Sequence, residues 1–318
     1  MILNVDLKSI QYAAIKNKGE KKMPKKVATL LLITLLCLVG LTACTGASAG
    51  TSDLTKGKTA EQIAEEAFDK WYGLANYDMS MEIYMKTSVG AEDTEMTMKS
   101  DATLFQNPLK MKMTANVTIP MLEPQTMTFE QYMLTENEKM TIYQQVDGVW
   151  QKMVIDDSAT MELMQMDPKD NLKLFMDSLK KAEILAEEKI EQTNTVKLEL
   201  VASSEVFGRI MEQTAGNPLG INEGLFGPAI LAQIGDLKYT LWIDKATLNV
   251  IKGQMNLSEN IRNLGAALAA EQDMPAELQE MFSSMEFVVD YTVMNHNNAQ
   301  DFTVPEEAKR AREIVMNE

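Results

Sequence analysis

Hydrophobic and polar residues alternate along most of the segment from residue 78 to residue 155, which is the period of a β-strand with two different faces. Methionine, isoleucine, valine, alanine and leucine occupy one face, whereas charged residues, serine and threonine occupy the other. The connections are short, and Asp147-Gly148 is typical of a two-residue hairpin turn. Because such connections join only antiparallel neighbours, the pattern predicts about six consecutive antiparallel strands. Their sheet is expected to be covered on its oily face only.

Elsewhere the hydrophobic period changes to three and four residues, which indicates amphipathic helices. The first helix begins at Thr59, and the Thr59 hydroxyl and the Gln62 side chain fit a capping box. Further helices are predicted after Pro168, at Ser204, around Leu264, after Pro275 and after Pro305. Further strands are predicted at residues 184–190, 196–200, 237–243, 248–257 and 287–293. This order predicts an α+β fold: a single curved, mostly antiparallel sheet of about 11 strands, a half-barrel with helices packed on its concave face.

The N-terminal part of the chain has the composition of a secretory signal. A basic start at Met23 is followed by an apolar run of about 13 residues, which is short for a membrane span of about 20. The run ends at Leu41-Thr42-Ala43-Cys44, which resembles the bacterial lipobox. That resemblance implies cleavage before Cys44 and transfer of a diacylglyceryl group to its thiol. We therefore expect a lipid anchor in the cell membrane, on its extracytoplasmic face.

Four segments are expected along the chain. Residues 1–22 contain acidic interruptions that a signal peptide lacks, so translation is expected to start at Met23. Residues 23–43 form the signal peptide, residues 44–58 form a small, polar, flexible tether, and residues 59–318 form the folded domain. Since Cys37 leaves with the signal and Cys44 is acylated, the domain has no disulfide and is stabilised by its core.

Charge and residue content exclude several classes of function. The formal net charge of −16 disfavours nucleic acid and anionic lipid headgroups as partners. The single histidine, His296, lies in a polar turn that we expect to be exposed, which argues against a Ser-His-Asp catalytic triad. The sequence shows neither a Gly-rich phosphate loop nor the Cys/His spacing of a metal site. A non-enzymatic protein without cofactor or metal is expected.

The 25 methionines are the distinctive feature of the composition. Several are spaced by two along the predicted strands, which places their thioethers on one face. Three interpretations are open: a copper(I) site, an ordinary core, or a deformable lining adapted to a ligand. The methionines alternate in register with isoleucine, valine and leucine, which favours a core face over a copper site. The candidate lining residues are Met79, Met81, Ile83, Met85, Met96, Met98, Met111, Met113, Phe129 and Leu241.

A second candidate is the Gly- and Pro-containing loop from Ala215 to Pro228, which is unusually apolar for a loop. Two interpretations are open here as well. The loop either packs on the helices or forms a mobile lip over a cavity mouth. The residues that would line such a mouth are Leu219, Ile221, Leu225 and Phe226.

Taken together, these motifs resemble the LolA/LppX/LprG-type lipoproteins and uncharacterised bacterial lipoproteins of similar layout. The features that carry the resemblance are the lipobox, the capped helix, the Met-rich strands, Asp147–Trp150, Leu241–Lys245 and Val304–Glu307. The resemblance implies an incomplete β-barrel with a hydrophobic cavity under helices, used to carry lipids or acyl chains, and it brings no catalytic residues.

The functional expectation is therefore a membrane-tethered, monomeric protein that binds a hydrophobic ligand. The alternative is a cell-surface interaction or sensor lipoprotein with a packed core and no cavity. Such a protein would act on an envelope partner through its acidic exterior.

Overall fold

The computed structural model describes residues 53–90, 92–119, 126–136, 139–146, 148–155, 175–206, 228–271 and 274–313. Within them, twelve strands form one open sheet with the spatial order β12-β6-β5-β4-β3-β2-β1-β11-β10-β9-β8-β7. The strands are β1 (Asn76–Val89), β2 (Glu92–Gln106), β3 (Leu109–Thr118), β4 (Thr126–Glu136), β5 (Lys139–Val146), β6 (Val149–Ile155), β7 (Leu179–Ile190), β8 (Thr193–Ala202), β9 (Leu237–Asp244), β10 (Val250–Asn256), β11 (Glu286–Met294) and β12 (Arg312–Glu313). The predicted α+β half-barrel is confirmed.

The sheet is antiparallel except at one edge, where the two-residue strand β12 pairs parallel to β6. This short strand accounts for the difference from the expected number of about 11, because two residues carry no readable alternation. The predicted hairpin is present, since Val146 pairs with Val149 and Gly148 has φ of 76°. The pairing of β1 with β11 joins the N-terminal strands to the C-terminal ones, so one continuous face spans the chain.

Helix α1 (Ala60–Tyr72) packs against this face. Its N-terminus has the predicted capping box: the Gln62 amide donates to Thr59 Oγ1 at 3.2 Å, and the Thr59 amide donates to Gln62 Oε1 at 3.0 Å. The inward side of the helix buries Ile63, Phe68 and Trp71 in the main core. The residues that the amphipathic pattern places on one side of this helix are therefore the residues that it buries.

Three further helices, α2 (Pro228–Ile234), α3 (Ser258–Glu271) and α4 (Ala276–Ser284), form a smaller cluster beside the end of β1. Helices α3 and α4 approach closely at Gly265, where a Cβ atom would lie 2.2 Å from Cβ of Phe282. Helix α4 is tied to β1 because Thr87 Oγ1 donates to the Met281 carbonyl at 2.9 Å. The helix expected after Pro168 falls mainly outside the described residues.

The outer face of the sheet is charged, and many of its ion pairs join neighbouring strands. Lys86 on β1, for example, lies 3.2 Å from Asp93 and 3.4 Å from Glu95 on β2. Trp242 also lies on this face, between the ammonium groups of Lys197 at 4.8 Å and Lys252 at 5.0 Å from its ring. Such exposed pairs contribute little stability individually.

The expectation that only one face is covered is wrong at one end of the sheet. There the C-terminal segment, with helix α5 (Glu306–Lys309), crosses the outer face. Val304 and Ala308 are buried against Tyr132, and Phe302 and Trp150 pack around them. Local alternation could not show this, because the covering segment is far away along the chain.

Candidate functional site

Nine of the ten predicted lining residues are buried in one continuous core cluster, and Met85 is half-buried against it. They come from β1, β2, β3, β4 and β9 and all point to the face on which α1 packs. Cys44 and the four candidate mouth residues, Leu219, Ile221, Leu225 and Phe226, lie outside the described residues. The structure thus brings the lining candidates together, and their role as a ligand lining stays a prediction.

Strand register arranges this concave face in rows that run across the sheet. One row crosses eight strands and is called the central row below: Phe129, Ala115, Ser100, Met81, Tyr291, Gly253, Leu241 and Leu198. Met81 belongs to this row, and further methionines occupy neighbouring rows, with Met85 opposite Met96 and Ile83 opposite Met98. Because methionine is unbranched and polarizable, a face built this way adapts its shape more easily than one of valine and isoleucine.

Two tyrosines interrupt this apolar face. Tyr239 on β9 and Tyr291 on β11 are each only 3% exposed, and neither hydroxyl has a hydrogen-bond partner among the described residues. Their ring centroids lie 6.3 Å apart, and the Phe175 ring stands edge-on to Tyr239 at 6.0 Å. Burial raises the pKa of the Tyr239 phenol well above its usual value, so the hydroxyl stays protonated.

Gly253 on β10 makes the contact between the two tyrosines possible. A Cβ atom at this position would lie 2.2 Å from both Cζ and Oη of Tyr291. The Tyr291 ring therefore covers the backbone of β10 and reaches toward β9. Sequence reasoning missed this arrangement. The alternation of Tyr239 with Leu241 indicates a shared face, but no local pattern shows which strands become neighbours.

A third buried polar atom without a partner, Gln131 Oε1, lies on the same face, where β4 pairs with β3 and β5. Gln131 is directly opposite Met113 and Gln144. Native cores satisfy most buried polar groups, so such atoms call for an explanation. Thr135 Oγ1, on the same face of β4, is also buried without a partner among the described residues, so the concave face offers unpaired hydrogen-bonding groups on β4 as well as at the two tyrosines.

The expectation that His296 is exposed is wrong, since the side chain is 2% exposed. The turn after β11 folds back on the start of β1: the Asn297 amide donates to the Asn76 carbonyl at 2.7 Å, and the Ala75 amide donates to Asn297 Oδ1 at 2.7 Å. The polar residue Asn297 thus forms hydrogen bonds that hold this turn against the start of β1. Burial, with a smaller effect of the nearby Lys70 charge, lowers the pKa of His296 to about 2. Neither ring nitrogen has a hydrogen-bond partner among the residues that the structure describes.

Among the described residues, no group of three or more His, Cys, Asp or Glu side chains is placed to hold a metal ion. No helix there is both long and apolar enough to cross a membrane. A shallow pocket of about 230 Å³ lies on the outer face, where Asp78, Asp101 and Lys112 contribute to its lining.

Comparison with known proteins places the chain in a family. No curated protein matches it. Among solved structures, it is similar to the lipoprotein LppX from Mycobacterium tuberculosis, with 11% identity, 76% of this chain and 97% of that chain covered, and a TM-score of 0.42. For LprF from Mycobacterium bovis the identity is 16%, the coverage 78% and 96%, and the TM-score 0.41.

A domain assigned to an outer membrane lipoprotein-sorting protein from Vibrio parahaemolyticus is also similar, with 11% identity, 73% and 89% coverage and a TM-score of 0.22. Lipoproteins of the LppX type, which the sequence resembles, are thus among the solved structures to which the chain is similar. The sequence model of DUF6612, a family of unknown function, matches residues 59–313. The chain therefore belongs to the DUF6612 family.

Proposed function

We propose that this protein is a lipid-anchored, non-enzymatic protein of the cell envelope that holds a hydrophobic ligand, a lipid or an acyl chain, against the concave face of its sheet. The observation that carries the proposal is the continuous, methionine-rich face that runs across β1 to β4 and on to β9. The anchor is Cys44, which follows the lipobox-like sequence, and the protein acts as a monomer at the extracytoplasmic side of the cell membrane.

Methionine suits this role for a physical reason. An unbranched thioether changes rotamer at low cost and is polarizable, so it fits alkyl chains of varying length and shape. The neighbouring strands supply small residues, Ala102 and Ala115, that leave space between the longer side chains. Together, these residues form a surface that can follow the outline of an acyl chain.

Filling the face tests the proposal. Ala115 is fully buried in the central row, whereas Asn116 is the next residue of β3 and is exposed on the outer face. Ala115→Trp should abolish uptake of a fluorescent fatty acyl probe from vesicles while the circular dichroism spectrum and the unfolding transition stay unchanged. Asn116→Trp, the matched control, should bind like the wild type. Unchanged uptake by a folded Ala115→Trp variant would contradict the proposal.

The second candidate function is a surface interaction or sensor protein whose core is fully packed. The observation that favours it is that the lining residues share one core cluster with Phe68 and Trp71 of α1, as in an ordinary interior. In that case Ala115→Trp overpacks the core and destabilises the fold by about 1–3 kcal/mol or more. Crosslinking in cells would then give a specific protein adduct on the charged outer face.

A further inference from the structure

The two tyrosines of the concave face have unused hydrogen-bonding capacity. Each hydroxyl can donate one hydrogen bond and accept others, and in the part of the chain that the structure describes neither Tyr239 nor Tyr291 uses any of this capacity. Buried hydroxyls in native proteins are nearly always paired with protein or water. Within the described ranges, two unpaired hydroxyls on neighbouring rings leave hydrogen-bond donors free for a bound molecule.

Gly253 shows that the position of Tyr291 is built into the strand register. Any side chain at residue 253 would occupy the space of the Tyr291 ring, since even a Cβ atom would lie 2.2 Å from its hydroxyl oxygen. The ring therefore lies over β10 and beside Tyr239, with the centroids 6.3 Å apart. The pair forms one polar spot in the middle of the face, between the Met-rich strands and β8.

The strand residues that flank this polar spot in the described sheet carry no charge. The register neighbours of Tyr239 are Leu200 and Met255, and those of Tyr291 are Met81 and Gly253. The residues two positions away on the same strands are Leu237, Leu241, Val289 and Val293. A carboxylate placed here would lose its hydration without gaining a cation, which is costly, whereas a neutral carbonyl oxygen needs only a hydrogen-bond donor.

We infer that Tyr239 and Tyr291 form a polar anchor that donates hydrogen bonds to the carbonyl oxygen of an uncharged acyl ester. The alkyl chain of this ligand extends along the methionine rows of β1, β2 and β3. The inference rests on the proposed function and specifies it, because it selects neutral acyl esters over free fatty acids of the same length.

Photo-crosslinking with two matched probes tests this selection. The full chain is reconstituted in phosphatidylcholine vesicles that contain a diazirine-bearing monoacylglycerol or the free fatty acid with the same chain. Adducts are located by peptide mass spectrometry. The ester should label peptides of the concave face about tenfold more than the acid, because only the acid must give up the hydration of a charged carboxylate to reach the anchor.

The variants replace only the hydroxyls. Tyr239→Phe/Tyr291→Phe should reduce ester labelling about tenfold, to the level of the acid, and each single variant should give a partial loss. Tyr132→Phe is the control, since Tyr132 is equally buried but lies on the outer face with its hydroxyl bonded to Glu130. It should label like the wild type.

The outcomes separate this inference from the proposed function. An ester preference that survives in the double variant, or equal labelling by both probes in the wild type, would overturn the tyrosine anchor and leave the proposed function standing. If neither probe labels the concave face of the wild type, the proposed function fails, and the anchor fails with it.

Discussion

The contact between Gly253 and Tyr291 yields a quantitative prediction about stability. In Gly253→Ala the new Cβ would lie 2.2 Å from the Tyr291 ring, which must retreat by about 1.2 Å to reach an ordinary contact of 3.4 Å. The ring is rigid and buried beside Tyr239, so this movement disturbs the core. Overpacking of this kind costs about 1–3 kcal/mol. Replacing a strand glycine by alanine returns about 0.5–1 kcal/mol, so we expect a net loss of about 1–2 kcal/mol.

A double-mutant cycle isolates the cause of that loss. Tyr291→Leu removes the ring that the new methyl group would strike, so Gly253→Ala should be neutral or stabilising in that background. Urea unfolding of the four proteins, monitored by circular dichroism, should give a coupling free energy of about 1–3 kcal/mol, because the gain from replacing glycine is common to both backgrounds and cancels. A Gly253→Ala variant as stable as the wild type, or one that loses the same free energy in both backgrounds, would refute the described packing of Tyr291 over β10.

Three further predictions follow from other parts of the fold. His296→Leu should remove an acid-sensitive component of stability. The unfolded histidine titrates near pH 6.5 and the native one at about 2, so below pH 6.5 only the unfolded state gains a proton, and the wild type loses about 2 kcal/mol by pH 5 that the variant keeps. The free energy of unfolding of both proteins is measured with urea at pH 7.5 and at pH 5.0. If the wild type and the variant lose the same amount between the two pH values, the prediction is wrong. Thr59→Ala should cost about 1 kcal/mol of unfolding free energy because the α1 capping box is lost, and a neutral substitution would show that the box contributes nothing. Alanine is favoured over glycine in a helix by about 1 kcal/mol, but Gly265→Ala should still destabilise the protein because the new Cβ would strike Phe282. A raised melting temperature would contradict the close crossing of α3 and α4.

Much of the sheet could be predicted from the sequence because strand faces are encoded locally. A side-chain period of two, the turn at Gly148 and the capping box at Thr59 each need only a few consecutive residues. The burial of the methionine-rich face follows from the same rule, since the oily side of the alternation, which carries Met79 and Met81, is the side expected in the core. These features required no knowledge of which strands pair.

The features that sequence reasoning missed depend on contacts between distant segments. His296 is buried because its turn bonds to Asn76, more than 200 residues away. The Tyr239–Tyr291 pair exists because β10 lies between β9 and β11 with a glycine at the meeting point. The cover over the outer face comes from the C-terminal residues around Val304. A polar turn or an alternating strand has the same sequence pattern whether or not such long-range contacts form.

Native mass spectrometry of residues 53–313, secreted from cells without the lipid anchor and purified without detergent, tests the central claim most directly. Our account predicts a discrete mass adduct that leaves the protein on organic extraction and is recovered as an acyl ester. The same protein with Ala115→Trp should be folded and free of the adduct. A wild-type protein that has a clean apo mass, and that acquires no adduct from vesicles containing acyl esters, would contradict the claim that its methionine-rich face binds a lipid.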